Sequence, residues 1–126
     1  MRAILDTSVV IAMDIGPLDG ELAISSITLA EMHFGVLVAT GQAVRAERLR
    51  RLLVLRRTFD ALPVDESVAE SYGRIAAAVV EAGRKPRARS LDLLIAATAH
   101  AHQARLYTRN AGDLRGLEDL IEIVSV

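Results

Sequence analysis

Four carboxylates sit where an acid can do chemistry in this chain: Asp6, Glu31, Asp92 and Asp113. Asp6 closes the apolar run Ala3-Ile4-Leu5 and is followed by the hydroxyls of Thr7 and Ser8. Glu31 comes three residues after Thr28, Asp92 follows the basic stretch RKPRAR, and Asp113 closes the segment TRNAG. Each has an ordinary structural use. Glu31 can close a capping box with Thr28, Asp92 can complement a helix dipole, and Asp113 can cap a turn. For any one acid alone that use is the better explanation. Asp6 resists it most, because a carboxylate directly behind a buried apolar strand needs a partner. For the four together the balance reverses. Carboxylates brought to one place raise one another's pKa, and a bound divalent ion inverts that effect. Hard oxygen ligands suit Mg²⁺ or Mn²⁺. One such ion activates a water, and a pair clamps both oxygens of an in-line phosphodiester displacement.

The elements that would position these acids follow from periodicity and breakers. Ala3 to Leu5 reads as a buried strand and Ser8 to Met13 as a short helix. DIGPLDG is a loop, and Leu22 to Ile24 is a second strand. Thr28 starts a helix that Gly41 ends, and Gln42 to Thr58 is a longer one with Leu49, Leu52 and Leu53 on one face. A short strand lies within Phe59 to Val64, and Asp65 or Ser67 opens the next helix, stopped by Gly83. Ser90 caps a helix from Leu91 to Gln103 whose stripe is Leu91, Leu94, Ile95 and Thr98. Arg105 to Thr108 and Ile121 to Val124 are the last strands, with a short helical piece at Asp113 between them. This alternation predicts an α/β fold with a mainly parallel sheet covered on both faces. In such a sheet strand ends and helix starts share one edge, so all four acids are expected there.

Composition narrows the function classes. A chain of 126 residues with 52% hydrophobic residues suits one domain, residues 1–126, with a well-filled core. The absence of cysteine removes disulfides, zinc-thiolate sites and thiol nucleophiles. No apolar run reaches the length of a membrane span, and Asp6 interrupts any leader-like segment, so a soluble cytoplasmic protein is expected. The net charge is −1, yet every basic residue except Lys85 is Arg, and most lie between Arg45 and Arg89. Arg forks match phosphate well. The Arg-rich helix and the connector residues Arg84, Lys85, Arg87 and Arg89 are candidates to track an RNA backbone or to hold a protein partner; solubility is the plainer use. With 3% aromatic residues, base stacking is a poor route to recognition. His100 and His102 are two apart on a helix and point apart, so neither they nor His33 are expected to bind metal.

The ordered blocks ILDTSVVIAM, ISSITLAEMHFGV, RSLDLLIAATAHAH and LYTRNAGDL resemble those of PIN domains, and more narrowly those of VapC toxins. The resemblance covers nearly the whole chain. It implies a PIN-like three-layer α/β/α sandwich and a metal-dependent endoribonuclease using Mg²⁺ or Mn²⁺ on tRNA or rRNA. It carries over Asp6, Glu31, Asp92 and Asp113 as the catalytic, metal-binding acids, and Ser8, Thr108 and Asn110 as supporting polar residues. Asn110 can share the role of Asp113. It also implies a VapB-type antitoxin whose tail wraps the toxin, a homodimer built on the early helices, and no membrane association.

Two other classes share parts of this pattern. A phospho-acceptor receiver module also gathers acids at a sheet edge, but pairs acids early and uses a late Lys; here a single Asp follows the first strand and the only Lys is Lys85. A non-catalytic binding protein would use the same acids as caps or metal ligands. A haloacid-dehalogenase-type phosphatase would need an Asp where Ser8 stands.

Overall fold

The computed structural model describes residues 1–12 and 14–126. Five parallel strands form one sheet: β1 (Arg2–Leu5), β2 (Glu21–Ser25), β3 (Asp60–Leu62), β4 (Arg105–Thr108) and β5 (Ile123–Ser125), in the order β3-β2-β1-β4-β5. From β1 the chain winds through β2 to β3 on one side, and β4 to β5 extend the other. The point of reversal therefore lies between β1 and β4, the place where an open α/β sheet opens a crevice at its carboxyl edge.

Period-two alternation sends successive side chains to opposite faces. Ile4, Ala23 and Leu106 pack under α4 (Glu66–Glu81) and α5 (Ser90–Ala101), with Val68, Ile75 and Val79 at helical spacing. Ala3, Leu5, Ile24 and Tyr107 face the other way, joined by Val9 of α1 (Thr7–Val10) and Leu55 of α3 (Gln42–Thr58). Met32 of α2 (Ser26–Leu37) borders that second core. The result is the three-layer α/β/α sandwich expected from the sequence. Ile4 and Leu106 are register partners on neighbouring strands and essentially inaccessible, so truncating either to Ala costs about 2–5 kcal/mol.

Several local expectations shift. The first helix is a single turn starting at Thr7, and the expected end at Met13 lies outside the described residues. α2 begins two residues early because Ser25 is its N-cap: the Ser25 hydroxyl accepts from the Ile27 N–H at 3.0 Å. Thr28 is therefore inside the helix and fully buried, and the Thr28–Glu31 capping box does not form. The helix ends at Leu37 rather than Thr40. On α3 the buried residues are Leu52 and Leu55, three apart, and Leu49 and Leu53 are exposed. The connector before α5 is a 3₁₀ turn, Pro86–Arg89, that runs straight into the helix. Ser90 is thus the first residue of α5 rather than its cap, and its hydroxyl donates to the Arg87 carbonyl at 3.1 Å. α5 is buried nearly all round, with Leu93, Ile95, Ala96, Ala97, Thr98 and Ala99 inside and Leu91 outside. A simple stripe fails there because the helix lies between the sheet and α4, which small alanines allow. β5 begins two residues late, and Ile121 joins the core from the preceding turn.

Candidate active site

Asp6 lies just past β1, where its N–H still reaches the Tyr107 carbonyl of β4 at 2.9 Å. It is 8% exposed, the one buried carboxylate among the described residues. Its burial is compensated by two hydroxyls that donate to the same oxygen, Oδ2: Ser8 at 2.6 Å and Thr108 at 2.9 Å. Each hydroxyl is itself held by backbone. The Arg109 N–H donates to Ser8 Oγ and the Asn110 N–H donates to Thr108 Oγ1, both at 3.0 Å. A 2.6 Å ion pair from Arg109 to Asp14 steadies that turn and holds the Asp14 carboxyl below the usual carboxylate range. With Oδ2 taken twice, Oδ1 of Asp6 accepts no hydrogen bond among the described residues.

Glu31 is positioned from a different direction. Thr7 Oγ1 donates to Glu31 Oε1 at 2.7 Å and lies 2.9 Å from the buried Thr28 hydroxyl. Thr7 caps nothing; it links the first turn after β1 to the second turn of α2. Asp92 stands in the first turn of α5, and Asp113 in the 3₁₀ turn Ala111–Leu114 after β4. Arg89 lies between them, 3.0 Å from Asp113 Oδ2 and 3.9 Å from Asp92 Oδ2. Arg84 donates to the Asp113 carbonyl at 3.2 Å.

The four acids do share the predicted edge. A hollow of about 10 Å³ is lined by Asp6, Asp92, Thr108, Asn110 and Asp113. That is the room one water-sized occupant needs. Glu31 and Asp92 together line a larger adjoining groove of about 310 Å³. The Asp92 carboxyl is pushed above its ordinary value, first by burial, then by the charges of Asp6 and Glu31, with Asp113 adding and Arg89 opposing. As they stand, no three of these acids are close enough to hold one ion together. Behind burial, the charges of Asp6, Glu31 and Asp113 all push the Asp92 carboxyl upward, and the Arg89 contact draws Asp113 onto a guanidinium. Hard oxygens, an ion-sized hollow and negative charge that Arg89 offsets only in part fit a divalent cation.

The supporting residues divide. Ser8 and Thr108 touch Asp6 directly, whereas Asn110 contributes its backbone N–H and a wall of the hollow. In the basic connector, Arg84 and Arg89 turn inward to Asp113, while Lys85 and Arg87 are exposed and Lys85 makes no ion pair among the described residues. The role of Thr28 was masked in the sequence, where the same residue fits a helix start. His100 bonds Ser71 and His102 bonds Arg2, so both are structural as expected.

The PIN domain family model matches residues 3–117. Ribonuclease VapC8 of Mycobacterium tuberculosis is 40% identical over 100 residues, spanning 76% of this chain and 88% of the relative. Ribonuclease VapC5 of the same organism is 37% identical over 131 residues, spanning 98% and 94%. Among solved structures, the VapBC-5 toxin–antitoxin complex of M. tuberculosis superposes with a TM-score of 0.82 at 32% identity, covering 99% of this chain and 97% of that one. The sheet order, the acid edge and these matches over the full fold make one statement: this chain belongs to the PIN domain family, within its VapC ribonuclease branch.

Proposed function

We propose that this chain is the toxin of a toxin–antitoxin pair, an endoribonuclease that hydrolyses RNA phosphodiester bonds. The carrying observation is Asp6: buried at the reversal point of the sheet, with both donors on Oδ2 and none on Oδ1 among the described residues, and lining one hollow with Asp92 and Asp113. Asp6, Glu31, Asp92 and Asp113 would hold a divalent cation, Mg²⁺ or Mn²⁺. When bound, that cation supplies Lewis acidity and lowers the pKa of water. Ser8 and Thr108 fix the angle at which Asp6 presents its free oxygen. Thr7 does the same for Glu31. Asn110 lines the hollow and shares with Asp113 the closing side of the site. Arg87 and Lys85 are free to meet phosphates of the entering RNA.

The solved relatives are VapB–VapC assemblies, which supports an antitoxin of that type as partner here. The exposed apolar side chains of Phe34, Leu37, Val38, Leu49 and Leu53 on α2 and α3 offer a surface for a second copy or for that partner. No helix is long and apolar enough to cross a membrane. We place the protein in the cytoplasm, where its RNA substrate is. The receiver-like alternative loses its footing with Lys85, which forms no ion pair with an acid among the described residues.

The deciding experiment incubates purified protein with structured RNA in Mg²⁺ or Mn²⁺. Cleavage is expected, EDTA stops it, and Asp6→Asn abolishes it while circular dichroism stays native. Full activity of Asp6→Asn would sink the assignment.

A further inference from the structure

Glu31 borders two grooves. One is the 310 Å³ groove it shares with Arg87, Arg89 and Asp92. The other, about 510 Å³, lies between α1, α2 and α3 and is lined by Thr7, Glu31, Met32, Gly35, Arg48 and Arg51. Both guanidiniums are anchored by one hydrogen bond each to a carbonyl at a helix end. Arg48 donates to Gly35 at 2.7 Å and Arg51 to Ile11 at 3.1 Å. A guanidinium has five N–H donors in a fixed fork, so each keeps donors for a ligand and has its position set beforehand. At Gly35 a side chain would meet nothing within 4 Å, so the groove is open there.

We propose that this second groove is an RNA subsite, in which Arg48 and Arg51 bind phosphates of the strand on the side of the cleaved bond away from the Arg87 connector. The inference rests on the ribonuclease reading above. A strand crossing the acids must carry its negative charge past four carboxylates, and cations are needed on both sides of them. One groove offers the exposed Arg87 and the other Arg48 and Arg51, with Glu31 as their common border. The second groove also has the volume for a nucleotide, and Met32 in its lining is apolar enough for the ribose and base to rest on. An Arg fork pairs with carboxylate and phosphate alike, so the choice of RNA over an acidic polypeptide tail rests on the groove's sharing Glu31 with the acid edge.

The test uses Asp6→Asn protein in Mg²⁺, so that a fluorescent hairpin RNA stays intact, and measures affinity across salt concentration. Arg48→Gln and Arg51→Gln on that background should each lower the salt slope by about one and weaken binding about tenfold, with Arg57→Gln unchanged. Arg48 is exposed, so Arg48→Gln remains informative if Arg51→Gln misfolds. From the RNA side, methylphosphonate linkages are placed singly on both sides of the cut bond. The linkage that weakens binding to the parent should weaken it no further in the Arg variants. Unchanged slopes in both Arg variants, undiminished sensitivity to every methylphosphonate, or loss of only an acidic peptide's binding would overturn the proposal. The nuclease reading is judged apart, by whether wild-type protein cleaves RNA in Mg²⁺.

Discussion

Arg89 places its guanidinium 3.0 Å from the Asp113 carboxylate, inside the acid set of its own chain. It also stands 3.9 Å from Asp92, three residues further along the turn into α5. The side chains are 37% and 39% exposed, so water screens the pair and its strength is modest. A modest pair is easily exchanged. Under the proposed metal-dependent reading, Arg89 is an internal counter-ion that a divalent cation would displace from Asp113.

Arg89→Gln should accordingly bind Mn²⁺ more tightly than wild type. An exposed pair contributes about 0.2–1 kcal/mol, which corresponds to about a 1.4- to fivefold gain in affinity. Calorimetric titration of metal into RNA-free protein reads this directly. Equal or weaker Mn²⁺ binding would show that the ion pair and the metal do not compete.

Thr7 is the side chain that orients Glu31. Its hydroxyl donates to Glu31 and is braced by the buried Thr28. Thr7→Val keeps the shape and removes the donor; metal affinity and cleavage should each fall about 10–100-fold, the usual size of such an orienting effect. Thr7→Ser restores the donor and should recover most of both. A Thr7→Val enzyme as active as wild type would leave Glu31 without need of support.

Thr108 is the second of the two donors to Asp6 Oδ2, and it is fully buried. Thr108→Val leaves the buried carboxylate with Ser8 alone. It also strips a partner from the Asn110 N–H. The expected cost is about 1–3 kcal/mol in a denaturant melt. Ser8 is only half-buried, so Ser8→Ala should cost less, with water replacing its hydroxyl. A reversed order of the two costs would mean that burial does not govern this pair.

The same residues mark what was legible in the sequence. A carboxylate ending an apolar run identifies Asp6, because strand burial and charge conflict locally and the conflict is visible in four consecutive letters. Alternation of strand and helix signals then carries the other acids to the same edge. What stayed hidden depends on tertiary contact. Thr28 reads as a helix start because S/T-x-x-E is the capping pattern, yet Ser25 takes that role and frees Thr28 to face Thr7 across 21 residues of sequence. The stripe on α5 holds only for Ile95 and Thr98, because a helix packed on several sides has no single apolar face. Arg89 looked like one charge of a solvated run, and only the 3₁₀ turn aims it at Asp113.

Asp92 sets the pH behaviour of the site. Burial, then Asp6 and Glu31, raise its carboxyl above the unfolded value of 3.8. The native state therefore holds this proton more tightly than the unfolded chain does. Protonation of Asp92 favours the metal-free fold, and that advantage is lost as pH rises through the raised value. At neutral pH the ionised carboxylate opposes folding, so metal-free Asp92→Asn should melt above wild type. The gain is about 0.5 kcal/mol, kept small because the Asp92 side chain is 43% exposed and partly screened. It should shrink as pH falls through the raised value. With Mn²⁺ the order should reverse, since wild type gains stability from the bound ion by mass action and the variant loses a ligand. Metal affinity of wild type should weaken over the same acid window, at a higher pH than an ordinary Asp would give. Thermal melts in EDTA and in Mn²⁺ across that window check all three signs. Metal-free Asp92→Asn melting below wild type at neutral pH would mean the carboxylates do not strain one another.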